Sequence, residues 1–399
     1  MTGTAPGGGD TTPGDDPDPA AALCGRPLVV ALDATPLYGP RTGIGRFVAE
    51  VLAGVAARPG EVAPLAYAVT FRGREQLADL VPAGVATATR PMAAAPLRAL
   101  WRRTDLPRIE AWTGPIDVVH GTNFVVPPAR AARVVTVHDL TFLHHPEMCT
   151  PDVLQYRGLV ERALEGGAWV HTVSSFVRDE VVELLGAPPG RVVAVPNGVT
   201  PTRGGDPARG RATAGSDRYV LALGTIEPRK GFPTLVAAFD RLAGTDRALR
   251  LVVAGPDGWG LDAFESACRR SAHAERVVRT GFVGEQERAD LLAGASVVAV
   301  PSLYEGFGLP AAEALSAGVP VVASEAGGLP EVVGDAGLLV PPGDEVALAD
   351  ALGRVLGDPE LADRLAAAGP GRAGRFTWDA TTAGLVDLWR RAHAARRSA

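Results

Sequence analysis

Cysteine is scarce in this chain: Cys24, Cys149 and Cys268 are odd in number, far apart and in no ligand spacing. That argues against a disulfide framework or a cysteine-built metal site and leaves reduced, packed thiols. A basic excess is also missing. The 39 Lys and Arg stand against 45 Asp and Glu, for a formal charge of −6, which argues against a dedicated nucleic-acid binder. No apolar run approaches the ~18–20 residues that a bilayer-spanning helix needs. The first residues have neither the basic start nor the apolar stretch of a secretion signal, so a cytoplasmic protein is expected. What is present is enough apolar material for sizeable cores. Apolar residues make up 46% and charged ones 21% of 399 residues, a length suited to two domains of roughly 100–200 residues each.

Residues 1–25 are Gly, Pro, Ala, Thr and Asp with little to bury, and are expected to be a disordered tail. Asp16-Pro17-Asp18 within it has the D-x-D form of a metal–nucleotide site, but without a flanking strand it reads as a solvated acidic linker. From residue 26 the pattern changes. Short β-branched runs at 28–32, 118–120, 134–138, 169–173 and 192–195 alternate with helical stretches, and a second series follows at 219–223, 249–254, 277–281, 297–300, 319–323 and 338–340. Such runs, bounded by Gly, Pro or Asn, suit buried parallel strands. The expected fold class is therefore α/β, with two Rossmann-like doubly wound domains, residues 26–200 and 218–375, facing across a cleft. Residues 201–217 are the expected linker and 376–399 a final helix. Ligand groups belong on loops at the carboxyl ends of the strands.

The densest segment follows the 297–300 strand: Glu305-Gly306-Phe307-Gly308-Leu309-Pro310, then Glu313, then Gly318. Pro310 suits a helix start and Gly318 a stop. Gly306 and Gly308 let backbone amides approach a ligand, and the helix N-terminus offers N–H groups to a diphosphate. Carboxylates beside it, Glu305 and Glu313, suit hydroxyls instead, one on a sugar and one on a ribose. Gly224-Thr-Ile-Glu-Pro-Arg229-Lys230-Gly231 follows the 219–223 strand, and apolar residues at 232, 235, 236, 239 and 242 then mark a helix. Arg229 and Lys230 fall on the same rim, where they would clamp a diphosphate as it leaves.

These motifs resemble family-4 retaining glycosyltransferases of the two-domain GT-B type, over essentially the whole chain beyond the tail. The resemblance rests on the E-x7-E pair, Glu305 to Glu313, and on the Gly224–Gly231 loop. It implies that Glu305 contacts the donor sugar, Glu313 the ribose, and Arg229 and Lys230 the diphosphate. Donor-binding residues are then expected at Gly43, Gly45, Gly224, Gly306, Phe307, Gly308, Leu309 and Glu313. His138 ends a strand and by itself reads as packed or capping; the resemblance places it by the donor sugar, orienting the acceptor hydroxyl. The catalytic set is thus His138, Arg229, Lys230 and Glu305. Gly43-Ile44-Gly45-Arg46 reads as a glycine turn before a helix, short of a dinucleotide fingerprint because Val48 stands at the third glycine position. Arg46, His120, Asn123, Asp139 and Ser174 are acceptor-side candidates, and for His120, Asn123 and Ser174 a structural role is equally open. Asn197-Gly198 reads as a turn at the domain border.

Adjacent His144 and His145 point apart on a regular element and lack a third ligand, so no metal is expected there, and the resemblance implies that the chain needs no metal and no cofactor. The resemblance extends to a nucleotide-sugar donor, with bacterial GDP-mannose-dependent mannosyltransferases nearest, and to a glycan or lipid-linked acceptor. It also implies a same-face displacement in which the leaving diphosphate helps deprotonate the acceptor, and a terminal helix that crosses back to the first domain. Alternatives are a UDP-sugar donor (glucose or N-acetylglucosamine), a sugar-nucleotide epimerase, a dehydrogenase lacking its glycine motif, or a non-catalytic nucleotide-sugar sensor. Trp101-Arg102-Arg103, with Trp389-Arg390-Arg391 and Arg396-Arg397 near the end, is either a solvated helix face or a peripheral contact with the inner membrane face.

Overall fold

The computed structural model describes residues 26–39, 43–202 and 204–398. Asp16, Asp18 and Cys24 lie outside them. Two parallel sheets organise the chain. The first contains β1 (Leu28–Asp33), β2 (Val62–Tyr67), β3 (Ala86–Ala88), β4 (Val118–Gly121), β5 (Ala132–Val137), β6 (Trp169–Thr172) and β7 (Val192–Ala194) in the order β3-β2-β1-β4-β5-β6-β7. The second contains β8 (Tyr219–Leu223), β9 (Arg250–Ala254), β10 (Val277–Gly281), β11 (Val297–Val300), β12 (Val321–Ser324) and β13 (Leu338–Val340) in the order β10-β9-β8-β11-β12-β13. Helices cover both faces of each sheet, so central strands such as Val297–Val300 and Val321–Ser324 are buried along their full length, as their unbroken apolar runs require.

β2 and β3 are strands that the sequence pattern does not reveal. Pro64 interrupts the first, and the second is the three-residue Ala-Thr-Ala stretch, with no β-branched run to mark it. The expected linker also differs. Within 201–217, Asp206 caps a helix, Pro207–Ala214, that packs on the Glu285–Gly294 helix. The contact is close because both sides are small: a Cβ on Gly210 would come within 2.1 Å of the Asp290 carbonyl oxygen. The segment therefore belongs to the second domain.

The final helix, Trp378–Arg397, crosses back to the first domain and lies against the Gly43–Ala56 helix and β5. Leu385, Val386, Leu388, Trp389 and Ala392 complete that domain's core. In each sheet the strand order reverses at one point, between β1 and β4 and between β8 and β11. Loops leaving the carboxyl ends of those neighbouring strands diverge and open a crevice. That topology brings the loop after β8 and the loop after β11 together, although 75 residues separate Lys230 from Glu305.

Candidate active site

A cavity of about 300 Å3 lies between the domains, at the carboxyl ends of both sheets. On the second domain's side, Glu305 is 5% exposed and both of its carboxylate oxygens are hydrogen-bonded. Oε1 accepts from Lys230 Nζ at 2.5 Å and from Ser302 Oγ at 2.8 Å, and Oε2 accepts from Arg229 Nη1 at 3.0 Å. Burial alone would raise its pKa, but the Lys230 and Arg229 charges prevail and hold it down to about 2. Arg229 is buried too, which works against its charge, and Glu305, Glu227 and Asp139 keep it firmly protonated. Lys230 is the only lysine in the chain. Gly231 holds φ +65°, and a Cβ there would come within 2.1 Å of the Pro301 carbonyl oxygen. The Arg229–Lys230 turn is thereby seated directly on the loop after β11.

Past Glu305 the chain turns through Gly306 and Gly308, the latter at φ +98°, into the Leu309–Ser316 helix, with Pro310 in its first turn. Gly306 packs directly against the first domain: a Cβ would lie 1.7 Å from the His138 carbonyl oxygen. Glu313, 3% exposed, accepts from Arg46 of the first domain and from Arg288 of the Glu285–Gly294 helix. Leu309 and Gly224 line the cleft as expected. Phe307 also reaches it, but its ring packs edge-on against Phe376 at 5.4 Å.

On the first domain's side, His138 lines the cleft at the end of β5 and is 8% exposed. Burial pushes its pKa below the ordinary value, so at neutral pH the ring is uncharged. Its Nε2 lies 2.8 Å from the Thr122 carbonyl oxygen, which can only accept. The proton therefore sits on Nε2, and Nδ1 keeps a free lone pair. Asp139 is also at the cleft, its Oδ1 accepting from Thr141 N at 3.0 Å. Gly43 faces the cavity, and a Cβ on it would meet Leu309 Cδ1 at 3.4 Å. Gly43 and Gly45 form the first turn of the Gly43–Ala56 helix rather than a loop before it, and Gly45 is packed inside.

Several acceptor-side expectations are corrected. Arg46 crosses the cleft to pair with Glu313. His120 is fully buried in a relay: Trp389 Nε1 donates to its Nδ1 at 3.2 Å, and its Nε2 lies 2.8 Å from Thr136 Oγ1. Thr136 in turn meets His171 Nδ1 at 3.0 Å. Burial holds both His120 and His171 below their usual values, His171 at about 3, so the pair is neutral and structural. Ser174 caps the Ser175–Leu185 helix and donates to the Gly306 carbonyl at 2.7 Å, tying the domains together. Asn123 lies in a separate cavity. Trp101, 3% exposed, packs in the core with Nε1 on the Pro107 carbonyl at 3.0 Å, so it offers nothing to a membrane. Arg102 and Arg103 beside it are exposed.

Asn197 and Arg288 are among the cleft residues that escape the sequence reading. Asn197, read as a turn residue, lines the cavity, and its buried Oδ1 has no partner among the described residues. Arg288 follows the loop after β10, on the same strand edge as the other site loops; that position was its one available signal. His144 Nε2 lies 2.6 Å from Glu180 Oε1, and Glu180 also accepts from the Tyr304 hydroxyl. These groups join the domains next to the site. Among the described residues no three His, Cys, Asp or Glu side chains are grouped as metal ligands.

Comparison with known proteins meets this geometry. The family model described as Glycosyltransferase Family 4 matches residues 41–203, and the one described as Glycosyl transferases group 1 matches residues 217–358. The chain is 30% identical to the O-antigen chain mannosyltransferase B of Escherichia coli over 371 residues, 89% of this chain and 97% of that one. It is 32% identical to the D-inositol 3-phosphate glycosyltransferase of Frankia alni over 396 residues, 90% of this chain and 96% of that one. Among solved structures, the sucrose-phosphate synthase of Thermosynechococcus elongatus superposes with a TM-score of 0.73 at 23% identity, covering 92% of this chain and all of that one.

Proposed function

The chain belongs to glycosyltransferase family 4 and has the GT-B fold, and on that premise we propose that it moves a hexose from a nucleotide-sugar to a hydroxyl of a glycan or glycolipid. The donor in this reading is GDP-mannose, supported by the 30% identity to a mannosyltransferase over almost that protein's full length. The observation that carries the proposal is the ionised Glu305 held by Arg229 and Lys230 beside the Leu309–Ser316 helix N-terminus. It joins a hydroxyl acceptor and a diphosphate clamp in one cleft.

In the proposed step, the bond from C1 of the sugar to the diphosphate oxygen breaks as the acceptor oxygen bonds to C1 on the same face. The acceptor's proton passes to the departing diphosphate oxygen. Arg229, Lys230 and the helix N-terminus neutralise the charge that develops there, the work a cation would otherwise perform, so the reaction is proposed to need no metal and no cofactor. Glu305, with its oxygens committed to cations and Ser302, accepts from sugar hydroxyls rather than attacking C1. His138 receives a hydroxyl on Nδ1 and orients it. Glu313 takes the ribose hydroxyls once Arg46 and Arg288 share it.

A second reading keeps the site and exchanges the donor for a UDP-sugar. The apolar surface that Phe282 and Val283 present to the cleft suits a guanine and a uracil alike. Thermal-shift binding of GDP, UDP, GDP-mannose and UDP-sugars without added metal separates the two. Guanine-selective stabilisation that is lost in Lys230→Ala supports the mannosyl reading. Uracil-selective stabilisation replaces the donor, and no stabilisation by any of them sinks both readings. For the membrane, we propose peripheral contact with the inner face through exposed Leu100, Arg102, Arg103 and Leu106. No helix among the described residues is long and apolar enough to cross a bilayer.

A further inference from the structure

The Ser175–Leu185 helix of the first domain starts at the domain boundary, and its first backbone N–H groups have no partner inside the helix. Ser174 accepts from Val177 N with its own hydroxyl at 3.2 Å. The two amides before it are capped from the other domain. Glu331 Oε2 accepts from Ser175 N at 3.0 Å, and Oε1 accepts from Phe176 N at 2.6 Å. Among the described residues the carboxylate has no other hydrogen-bond partner and forms no ion pair, so its charge is directed at this helix end. Two charge-assisted hydrogen bonds and the positive end of the helix dipole meet it there. Glu331 does not line the donor cleft.

The chain around Glu331 is built onto the Glu305 loop. Gly327 and Gly328 lead into the short Leu329–Val333 helix that carries Glu331, and Gly328 N donates to the Glu305 carbonyl at 2.8 Å. Gly327 holds φ +61°, and a Cβ on it would come within 2.0 Å of the Glu305 carbonyl oxygen. The residues on either side of Glu305 reach the Ser175–Leu185 helix as well. The Gly306 carbonyl accepts from Ser174 Oγ at 2.7 Å, and the Tyr304 hydroxyl donates to Glu180 while it accepts from Leu140 N at 3.1 Å. The helix end, Glu331 and the Glu305 loop are therefore one hydrogen-bonded unit that spans the two domains.

We propose that Glu331 is a positioning residue for transfer: by capping a first-domain helix from the second domain, it sets Glu305 against His138. The inference rests on the transferase reading and adds to it a residue outside the cleft on which the reaction depends. When the domains part, Glu331 and both amides turn to water, so the cap counts only in the closed arrangement. An interaction made in one arrangement alone shifts the balance towards it by its own worth. Nucleotide binding is served by Arg229 and Lys230 of the second domain and does not need the cap. Transfer needs Glu305 and His138 together, and they stand on different domains.

Glu331→Gln and Glu331→Asp in the full chain test this, because Gln is the closer match in shape and Asp the match in charge. Turnover is followed as nucleoside diphosphate released from GDP-mannose or UDP-glucose, with methyl α-D-mannopyranoside as acceptor. The kcat should fall about tenfold in Glu331→Gln, as for one lost charge-assisted hydrogen bond. It should fall only about threefold in Glu331→Asp, which keeps the charge at the helix end. The Kd for GDP or UDP should stay unchanged in both, which also reports that they fold. Small-angle scattering with the nucleotide present should give Glu331→Gln a larger radius of gyration than the wild type. Wild-type kcat in Glu331→Gln overturns the proposal, as does a smaller loss in Gln than in Asp or a nucleotide Kd that weakens in step with kcat. The two readings fail separately. If the wild type turns over neither donor, the transferase reading falls and scattering decides the cap: equal radii overturn it, and a more open Glu331→Gln upholds it.

Discussion

Replacing Glu305 by Gln removes one charge and almost no volume, and separates what that carboxylate does for folding from what it does for the donor. Its folded pKa of about 2 against an ordinary 4.5 corresponds to about 3 kcal/mol, at 1.36 kcal/mol per unit. The folded-state value is the depressed one, so the contribution is fully present above 4.5 and is lost as pH falls from 4.5 towards 2. In a domain of this size the loss lowers the melting temperature of Glu305→Gln by about 6–12 °C at pH 7. The gap from wild type should close as both are melted at successively lower pH. Nucleotide binding should move the other way. Arg229 and Lys230, freed of their carboxylate, bind GDP or UDP at least as well as in the wild type, whereas transfer falls by about 100-fold or more for want of the sugar contact. Calorimetric titration with the nucleoside diphosphates, melting between pH 3 and 7, and a transfer assay together read all three effects. A pH-independent stability gap, or loss of nucleoside diphosphate binding in step with transfer, would refute the reasoning.

Gly306→Ala forces a methyl group against the His138 carbonyl, 1.7 Å from the position its Cβ would take. The two domains then cannot close as they do here, and transfer should drop by about 100-fold with the melting temperature of the second domain retained; wild-type turnover would show that closure is not needed. In flotation with anionic vesicles at low salt, the wild type should rise with the lipid. Arg102→Ala/Arg103→Ala should bind about 30-fold more weakly, from about 1 kcal/mol per arginine, and Leu106→Asp should weaken binding further. Equal flotation of all three ends the membrane proposal.

The sequence by itself determined what depends on neighbours along the chain. Unbroken β-branched runs such as Val297–Val300 and Val321–Ser324 mark strands buried on both faces, because only such strands tolerate apolar residues on each side. Gly306, Gly308 and Pro310 mark a turn into a helix through their own backbone preferences, and the Glu305-to-Glu313 spacing follows from that turn. β2 was hidden by Pro64 and β3 by its shortness. The Pro207–Ala214 helix passed for linker because small residues, Gly210 and Ala214, make its contact rather than an apolar stripe. Only the tertiary structure decided which distant groups meet. Strand order placed Lys230 against Glu305, closure placed Arg46 against Glu313, and the returning final helix turned His120 from a candidate ligand contact into a partner of Trp389. A charge or an imidazole has no local preference that names its partner, so its role is set where the fold brings the partner to it.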